Sequence, residues 1–394
     1  MVEARFTRRR TIRYAALTAT AASTLALSAC GSEPAQGGAP APAAAVVTEP
    51  VAVTYDGGIS VLDGKTLKVV KDIPLDGFNR LNSAGDGKHL LVSTATGFRV
   101  LDAAGAVLTD AEFKAPKPGH VVRHAGKTVL FADGTGEVTV FDPKTLGTGP
   151  LPAPQHKTPE PHHGVAVELA GGELVTTIGN ADSRPGIVVL DKDRKEIARN
   201  DQCPGVHGEA AARGEAVVIG CETGVLVYRD GKITKVTSPD PYGRIGNQAG
   251  SDVSPITLGD YKVDKEAELE RPTRISLIDT EKATLRHVDL GVSYSFRSLA
   301  RGPRGEALVL GTDGRIHVID PVTGSVVRKI EVTGTWQEPL DWQQPRPAIF
   351  VRGGTAYVTD PNKKEIHSVD IESGTKTATG ALPGVPNEIS GVTA

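Results

Sequence analysis

The sequence predicts an all-β chain: a single eight-bladed β-propeller over residues 50–394, closed by its own C-terminal strand and preceded by a secretion leader and a tether. Three observations carry this expectation. A short motif of alternating apolar residues ending in aspartate recurs eight times. Forty-five glycines and 27 prolines among 394 residues supply many turns. No segment sustains the 3.6-residue apolar period of an amphipathic helix. Composition also excludes two classes. A net charge of −3, with no long basic run after residue 13, offers no footprint for nucleic acid. No apolar stretch reaches the roughly 18 residues of a membrane helix, so a multi-span protein is excluded.

The chain opens with an address. Arg8, Arg9, Arg10 and Arg13 form a basic region ahead of a short apolar run over residues 14–29, the pattern of a secretory signal peptide. The run ends in Leu27, Ser28, Ala29 and Cys30, which resembles a bacterial lipobox, so cleavage is expected before Cys30 with lipid attached to that residue. The arginines also resemble a twin-arginine signal lacking the usual phenylalanine, leaving both the general secretory and twin-arginine routes open. Removing residues 1–29 takes away five basic residues and Glu3, leaving 39 basic against 46 acidic residues and a charge of −7. Residues 30–49, rich in proline, alanine and glycine, read as a tether holding the domain off an extracytoplasmic membrane surface.

The repeat sets the architecture. Its aspartates are Asp63, Asp102, Asp142, Asp191, Asp230, Asp279, Asp320 and Asp370, spaced 39, 40, 49, 39, 49, 41 and 50 residues apart. The mean of about 44 is the length of a four-stranded propeller blade. Paired β-sandwiches rarely keep one period through eight copies. The first blade lacks an inner partner, and residues 387–394 have the character of an inner strand, so they are expected to complete it and join the two ends of the ring. A ring closed in this way needs no second subunit to cover its edges, and a monomer is expected.

The residue leading each inner strand faces the central channel. Aligned by their second strands, the repeats place Arg80, His120, His163, His207, an unassigned residue of the sixth blade, Arg297, Arg346 and about Glu388 at that position. The three histidines are 43 and 44 residues apart, one blade each, so their imidazoles are expected to converge on one side of the channel as zinc ligands. Asp252 continues the spacing 45 residues on and is the expected fourth ligand; Asn247, Glu209 or water are the alternatives. His156 and His162, in the loop ahead of His163, are candidate relay ligands. The other five histidines, His89, His124, His287, His317 and His367, are expected to be solvated. Cys203 and Cys221 are the only cysteines after Cys30, and in an oxidising compartment two cysteines 18 residues apart are expected to form a disulfide that pins the His207 loop.

Residues 161–169 (PHHGVAVEL), 203–211 (CPGVHGEAA) and 220–224 (GCETG) resemble the AztD-type zinc metallochaperones. Those are extracytoplasmic β-propellers that hand zinc to the solute-binding protein of an ABC transporter. The resemblance implies that His120, His163 and His207 bind zinc, that Cys203 and Cys221 are paired, and that the chain is a carrier, not an enzyme. It departs from the family in one respect: family members commonly carry a histidine-rich N-terminal segment, and residues 31–50 hold no histidine. The loop around His156 and His162 is the alternative donor for the transfer step.

Two other functions fit eight blades. One is a secreted propeller enzyme, lactonase-like or a zinc-dependent hydrolase, with Arg80, Arg297 and Arg346 binding a carboxylate and Glu209 as base. No Gly-x-Ser-x-Gly motif is present, and Trp336 and Trp342 are the only tryptophans, against the tryptophan-rich repeats of quinoproteins. The other is a scaffold in which the histidines are structural.

Overall fold

A computed structural model describes residues 46–394. The signal peptide, Cys30 and most of the tether lie outside the described residues. Eight antiparallel sheets follow one another along the chain, and a 3-10 turn at Pro143–Thr145 is the one helical element among the described residues. The innermost strands of blades two to eight are Arg80–Ser83, Pro118–His124, Ala166–Glu168, His207–Ala212, Gln248–Ala249, Tyr294–Arg301 and Ile349–Arg352. Blade one takes its innermost strand from the C-terminus: Ile389–Gly391 pairs antiparallel with Val51–Tyr55, matching Val51 to Gly391 and Val53 to Ile389. The expected closure is therefore present. Packed chain begins slightly earlier than the expected start at residue 50, because Val47 is buried against Leu81, Leu90 and Ala103 and its N–H donates to the Ala104 carbonyl at 2.9 Å.

Burial follows from the ring. Second strands such as His89–Ser93 and Ala216–Cys221 are buried along their whole length, since neighbouring blades cover both faces of each sheet. Outer strands such as Val69–Leu75 carry more exposed residues because one side meets water. The apolar clusters bridge blades: Phe131, Val167, Val189 and Ile219 share one across blades three to five, and Val51 and Leu62 pack with Tyr357 and Ile366 across the closure.

The repeating aspartate has a structural cause. It ends the third strand, and its carboxylate accepts backbone N–H groups of the following turn: Lys65 and Thr66 at Asp63, Gly105 at Asp102, Lys144 at Asp142, Val322 and Thr323 at Asp320, and Ser373 at Asp370. Asp230 is the exception; it stands in the hairpin itself with φ 50°. The motif that reveals the fold thus serves the turns between third and fourth strands.

Cys203 and Cys221 are bonded, with 5.5 Å between their Cα atoms, and both are fully buried. The bridge ties the loop leading to His207 to the end of the second strand of blade five. The Lys235 ammonium lies 3.0 Å from both sulfurs, and burial pulls its pKa down to about 8. Replacing both cysteines by serine is expected to lower unfolding stability by about 3 kcal/mol, from the entropy of the freed loop. Urea denaturation of the two forms measures it, and equal midpoints would contradict the account.

Candidate metal centre

The structure brings His120, His163 and His207 together. One ring nitrogen from each lies within 4.8 Å of the others, and the ring centroids are 5.3, 5.6 and 5.0 Å apart. Three adjacent blades contribute: His120 lies within its inner strand, His163 stands just ahead of Ala166–Glu168, and His207 opens its strand.

Two of the rings are hydrogen-bonded through Nδ1, and the third turns its Nδ1 toward a carboxylate. His163 Nδ1 meets Asp133 Oδ2 at 2.5 Å, His207 Nδ1 donates to the Gly246 carbonyl at 2.6 Å, and His120 Nδ1 lies 3.1 Å from Glu209 Oε2. A histidine that commits Nδ1 as donor leaves the Nε2 lone pair for a metal, the usual arrangement of imidazole ligands. Asp133 also accepts the Gly164 N–H at 3.3 Å, so one carboxylate fixes both the ring and the backbone behind it. Two glycines permit this crowding. A Cβ at Gly119 would stand 2.1 Å from Asp133 Oδ1, and one at Gly208, where φ is +72°, would stand 2.4 Å from the Gly246 carbonyl oxygen. Gly208 also forms a bulge between His207 and Glu209, which re-aims Glu209 toward His120.

Burial holds His207 well below the usual imidazole range, and the neighbouring His120 adds to the effect, while the Gly246 carbonyl opposes it. The ring is therefore neutral, as a ligand must be. Arg184 and Arg244 stand near the mouth, with Arg184 Nη1 3.4 Å from the His163 carbonyl oxygen and Arg244 donating to the Gly205 carbonyl at 3.2 Å.

Asp252 is not part of the cluster. Ser251 bridges Ala212, five residues along the inner strand from His207, so Asp252 lies further down the channel. There it lines a cavity of about 430 Å³ with Asn82, Arg123, Glu209 and Ser390. The equal spacing misled because the leading residue of blade six comes earlier in its repeat. Asn247 bonds the Asp260 carboxylate through its N–H and side-chain amide, and Gln248 begins the strand. Of the alternatives to Asp252, Glu209 is the acid that reaches the triad, and it does so as a partner of a ring nitrogen.

His162 is no relay. It is 3% exposed, with Nδ1 bonded to the Glu160 carbonyl and Nε2 to Thr177 Oγ1, both at 3.0 Å. His156 sits on the outermost strand of blade three, away from the channel. The expectation that five histidines are solvated also fails for four of them. His89, His317 and His367 are 4% exposed or less and His124 is largely covered beside Glu215, while His287 is half-buried against Tyr261 with ring centroids 3.7 Å apart. A propeller blade covers both faces of its middle strands, so alternation along a strand does not predict exposure there. The arginines at the channel mouth are paired: Arg297 with Glu388 at 2.8 Å, Arg80 with the same carboxylate at 3.4 Å, and Arg346 with Glu338 at 2.7 Å. Asp133 and the Gly246 carbonyl were not legible beforehand; the one available signal was that each triad histidine has a glycine beside it.

Several buried or half-buried histidines make stability depend on pH. Burial holds His156, His287 and His317 below the ordinary imidazole pKa of 6.5. Below that pH the unfolded chain takes up protons that the native state refuses. Each such group then removes up to about 1.4 kcal/mol per pH unit until its native pKa is reached. The metal-free domain is expected to be fully supported by these groups above pH 6.5, with a lower urea midpoint at pH 5 than at pH 7.5. An unchanged midpoint would refute this.

No family model matches the chain. It is 29% identical over 303 residues, 74% of this chain and 69% of the relative, to the zinc chaperone AztD of Citrobacter koseri. The structure of apo AztD from the same organism superposes with a TM-score of 0.74 at 24% identity, covering 88% of this chain and 98% of that one. The chain resembles AztD in sequence and in fold. A second crystal structure of Citrobacter koseri AztD also gives 0.74, over 87% of this chain and 96% of that one. The dihydro-heme d1 dehydrogenase NirN, at 13% identity and a TM-score of 0.56, covers 87% of this chain and 75% of its own and shares only the fold. AztD is named as a chaperone and not as a catalyst.

Proposed function

We propose that this AztD-like chain is an extracytoplasmic zinc chaperone, which binds Zn(II) through Nε2 of His120, His163 and His207 and hands it to the solute-binding protein of a zinc ABC transporter. The observation that carries the reading is the convergence of three imidazoles, two of them hydrogen-bonded through Nδ1 and the third with Nδ1 facing Glu209. Likeness to a zinc chaperone supports the cargo. The disulfide supports an oxidising compartment, and a lipid on Cys30 with the tether is the proposed attachment to the cell membrane.

The geometry suits a carrier. Zinc prefers four donors, and three imidazoles leave one coordination position open to a donor from the receiving protein. His163 is the most exposed of the three, with 43% of its side chain accessible, so it lines the approach and is the first ligand a partner reaches. Asp133 and Glu209 keep the rings aimed and make each imidazole a better donor. Arg184 and Arg244 put positive charge near the bound cation, which favours release. Glu209 stands 3.1 Å from His120 Nδ1, which disfavours its role as the free base of a zinc hydrolase.

The test is competition for zinc between the purified mature domain and a chromophoric chelator, followed by mixing of the loaded domain with the metal-free solute-binding protein. His163→Ala is expected to lose the tight zinc while staying folded, and wild type to transfer faster than its zinc dissociates into chelator. If wild type and variant bind zinc equally, the site is wrong. If transfer is no faster than free dissociation, the handover is wrong.

A further inference from the structure

Blade eight holds a second constellation, independent of the channel. Asp360 ends the second strand, Thr355–Asp360, and Glu365 starts the third, Glu365–Asp370; the two are paired directly across the hairpin. His367 lies two residues beyond Glu365 and so shares its face. The hairpin thus places two carboxylates and one imidazole side by side, and their donor atoms lie within 4.8 Å of one another.

The imidazole points to a missing partner. His367 is 2% exposed, its Nδ1 is bonded to Thr379 Oγ1 at 3.0 Å, and its Nε2 is buried with no hydrogen-bond partner. Blade seven supplies an internal comparison. His317, also on a third strand and also fully buried, satisfies its Nε2 with both oxygens of Asp313 at 3.1 and 3.2 Å. In blade eight the nearest carboxylate oxygen, Glu365 Oε2, is 3.7 Å from Nε2. That is too long for a hydrogen bond. It is close to the roughly 3.3–3.5 Å between two ligands of one tetrahedral zinc, given metal–ligand bonds of about 2.0–2.2 Å. Asp360 is also buried and is oriented by the N–H groups of Asn362 and Lys363, which Oδ1 accepts at 3.1 and 3.3 Å. Neither carboxylate forms an ion pair with a lysine or arginine among the described residues.

We propose that Asp360, Glu365 and His367 form a second divalent-cation site, separate from the histidine triad. The His367 Nε2 is costly to leave buried without a partner, and a cation held between it and the two carboxylates satisfies it. The donor set, two oxygens and one nitrogen, is harder than the triad's three imidazoles. Half-exposed Glu365 is the side from which an ion enters.

The probe is Zn²⁺ alone, measured by equilibrium dialysis on four forms of the mature domain: wild type, His163→Ala/His207→Ala, Glu365→Gln, and the three substitutions combined. Two equivalents are expected for wild type, one for each of the middle two and none for the last, with Glu365→Gln weakening the second site tenfold or more. His367→Gln, a shape-conserving change, is expected to act as Glu365→Gln does. The proposal is overturned if the double histidine variant takes up no zinc, or if its zinc affinity survives Glu365→Gln within twofold. Failure of the triad reading looks different: wild type then binds zinc that Glu365→Gln removes and the double variant keeps in full.

Discussion

Replacing His207 with alanine is expected to weaken zinc binding at the channel by more than about 100-fold, beyond the 10–100-fold typical of a lost supporting contact. His207 is one of three converging donors, and its Nδ1 is already given to the Gly246 carbonyl, so Nε2 has no other task. Two imidazoles remain after the change, too few for a tight tetrahedral site. The fold is expected to survive, because the residue opens its strand at the channel and its side chain packs mainly against the other two rings. Asp133→Asn supplies the graded comparison. It leaves all three ligands in place but removes the carboxylate that steers His163, and a loss of about 10–100-fold is expected. Chelator competition at fixed pH reads both, with thermal melts confirming the fold. A His207→Ala protein that holds its channel zinc as tightly as wild type would end the triad reading.

Deleting residues 387–394 is expected to prevent folding of the whole ring. The segment supplies the innermost strand of blade one, and beyond the ladder its backbone exchanges two bonds with Thr54, at 2.8 and 2.9 Å. Val392 is buried in the cluster with Leu81 and Leu90, and Thr393 bonds Ser83 in blade two. Loss of Glu388 and Asn387 also strips Arg297 of the carboxylate 2.8 Å away and of the Asn387 carbonyl and side-chain oxygens it donates to, leaving a buried guanidinium unpaired. Removing one partner of a buried pair alone costs about 3–5 kcal/mol, a large part of a domain's stability. Soluble yield and circular dichroism of the truncated chain are the readouts. Glu388→Gln separates the charge from the strand: it keeps the ladder and is expected to fold with a lower melting temperature. A truncated chain that folds and melts like wild type would show that the closure is dispensable.

Much of this protein is legible in its sequence. Eight copies of one motif, the turn-forming residues and the absence of helical periodicity lead to the propeller, because each blade must bury the same faces and turn at the same points. The aspartates from Asp63 to Asp370 recur since most of them cap a turn, a local requirement that a linear pattern records. His120, His163 and His207 are likewise found by counting, as equal spacing in a ring means equal position at the channel. The pairing of Cys203 with Cys221 follows from compartment and range.

What failed depended on contacts between distant segments. Asp252 keeps the spacing but slips down the channel, since the sixth blade begins its inner strand at Gln248 and the count carries no register across an irregular loop. Asp133 and Gly246, which hold two of the three rings, come from a hairpin turn and an interblade loop; no local pattern points a turn carboxylate at a histidine 30 residues away. Solvation of His317 and His367 was misjudged for a related reason, as neighbouring blades cover both faces of a strand that looks half-exposed on its own. Sequence alone thus determined the fold, the three histidines and the disulfide, all consequences of repeat spacing and chain chemistry. Only the tertiary structure decided which groups orient the rings, where Asp252 lies, and that Asp360, Glu365 and His367 meet, because those facts depend on segments brought together by ring closure and blade packing.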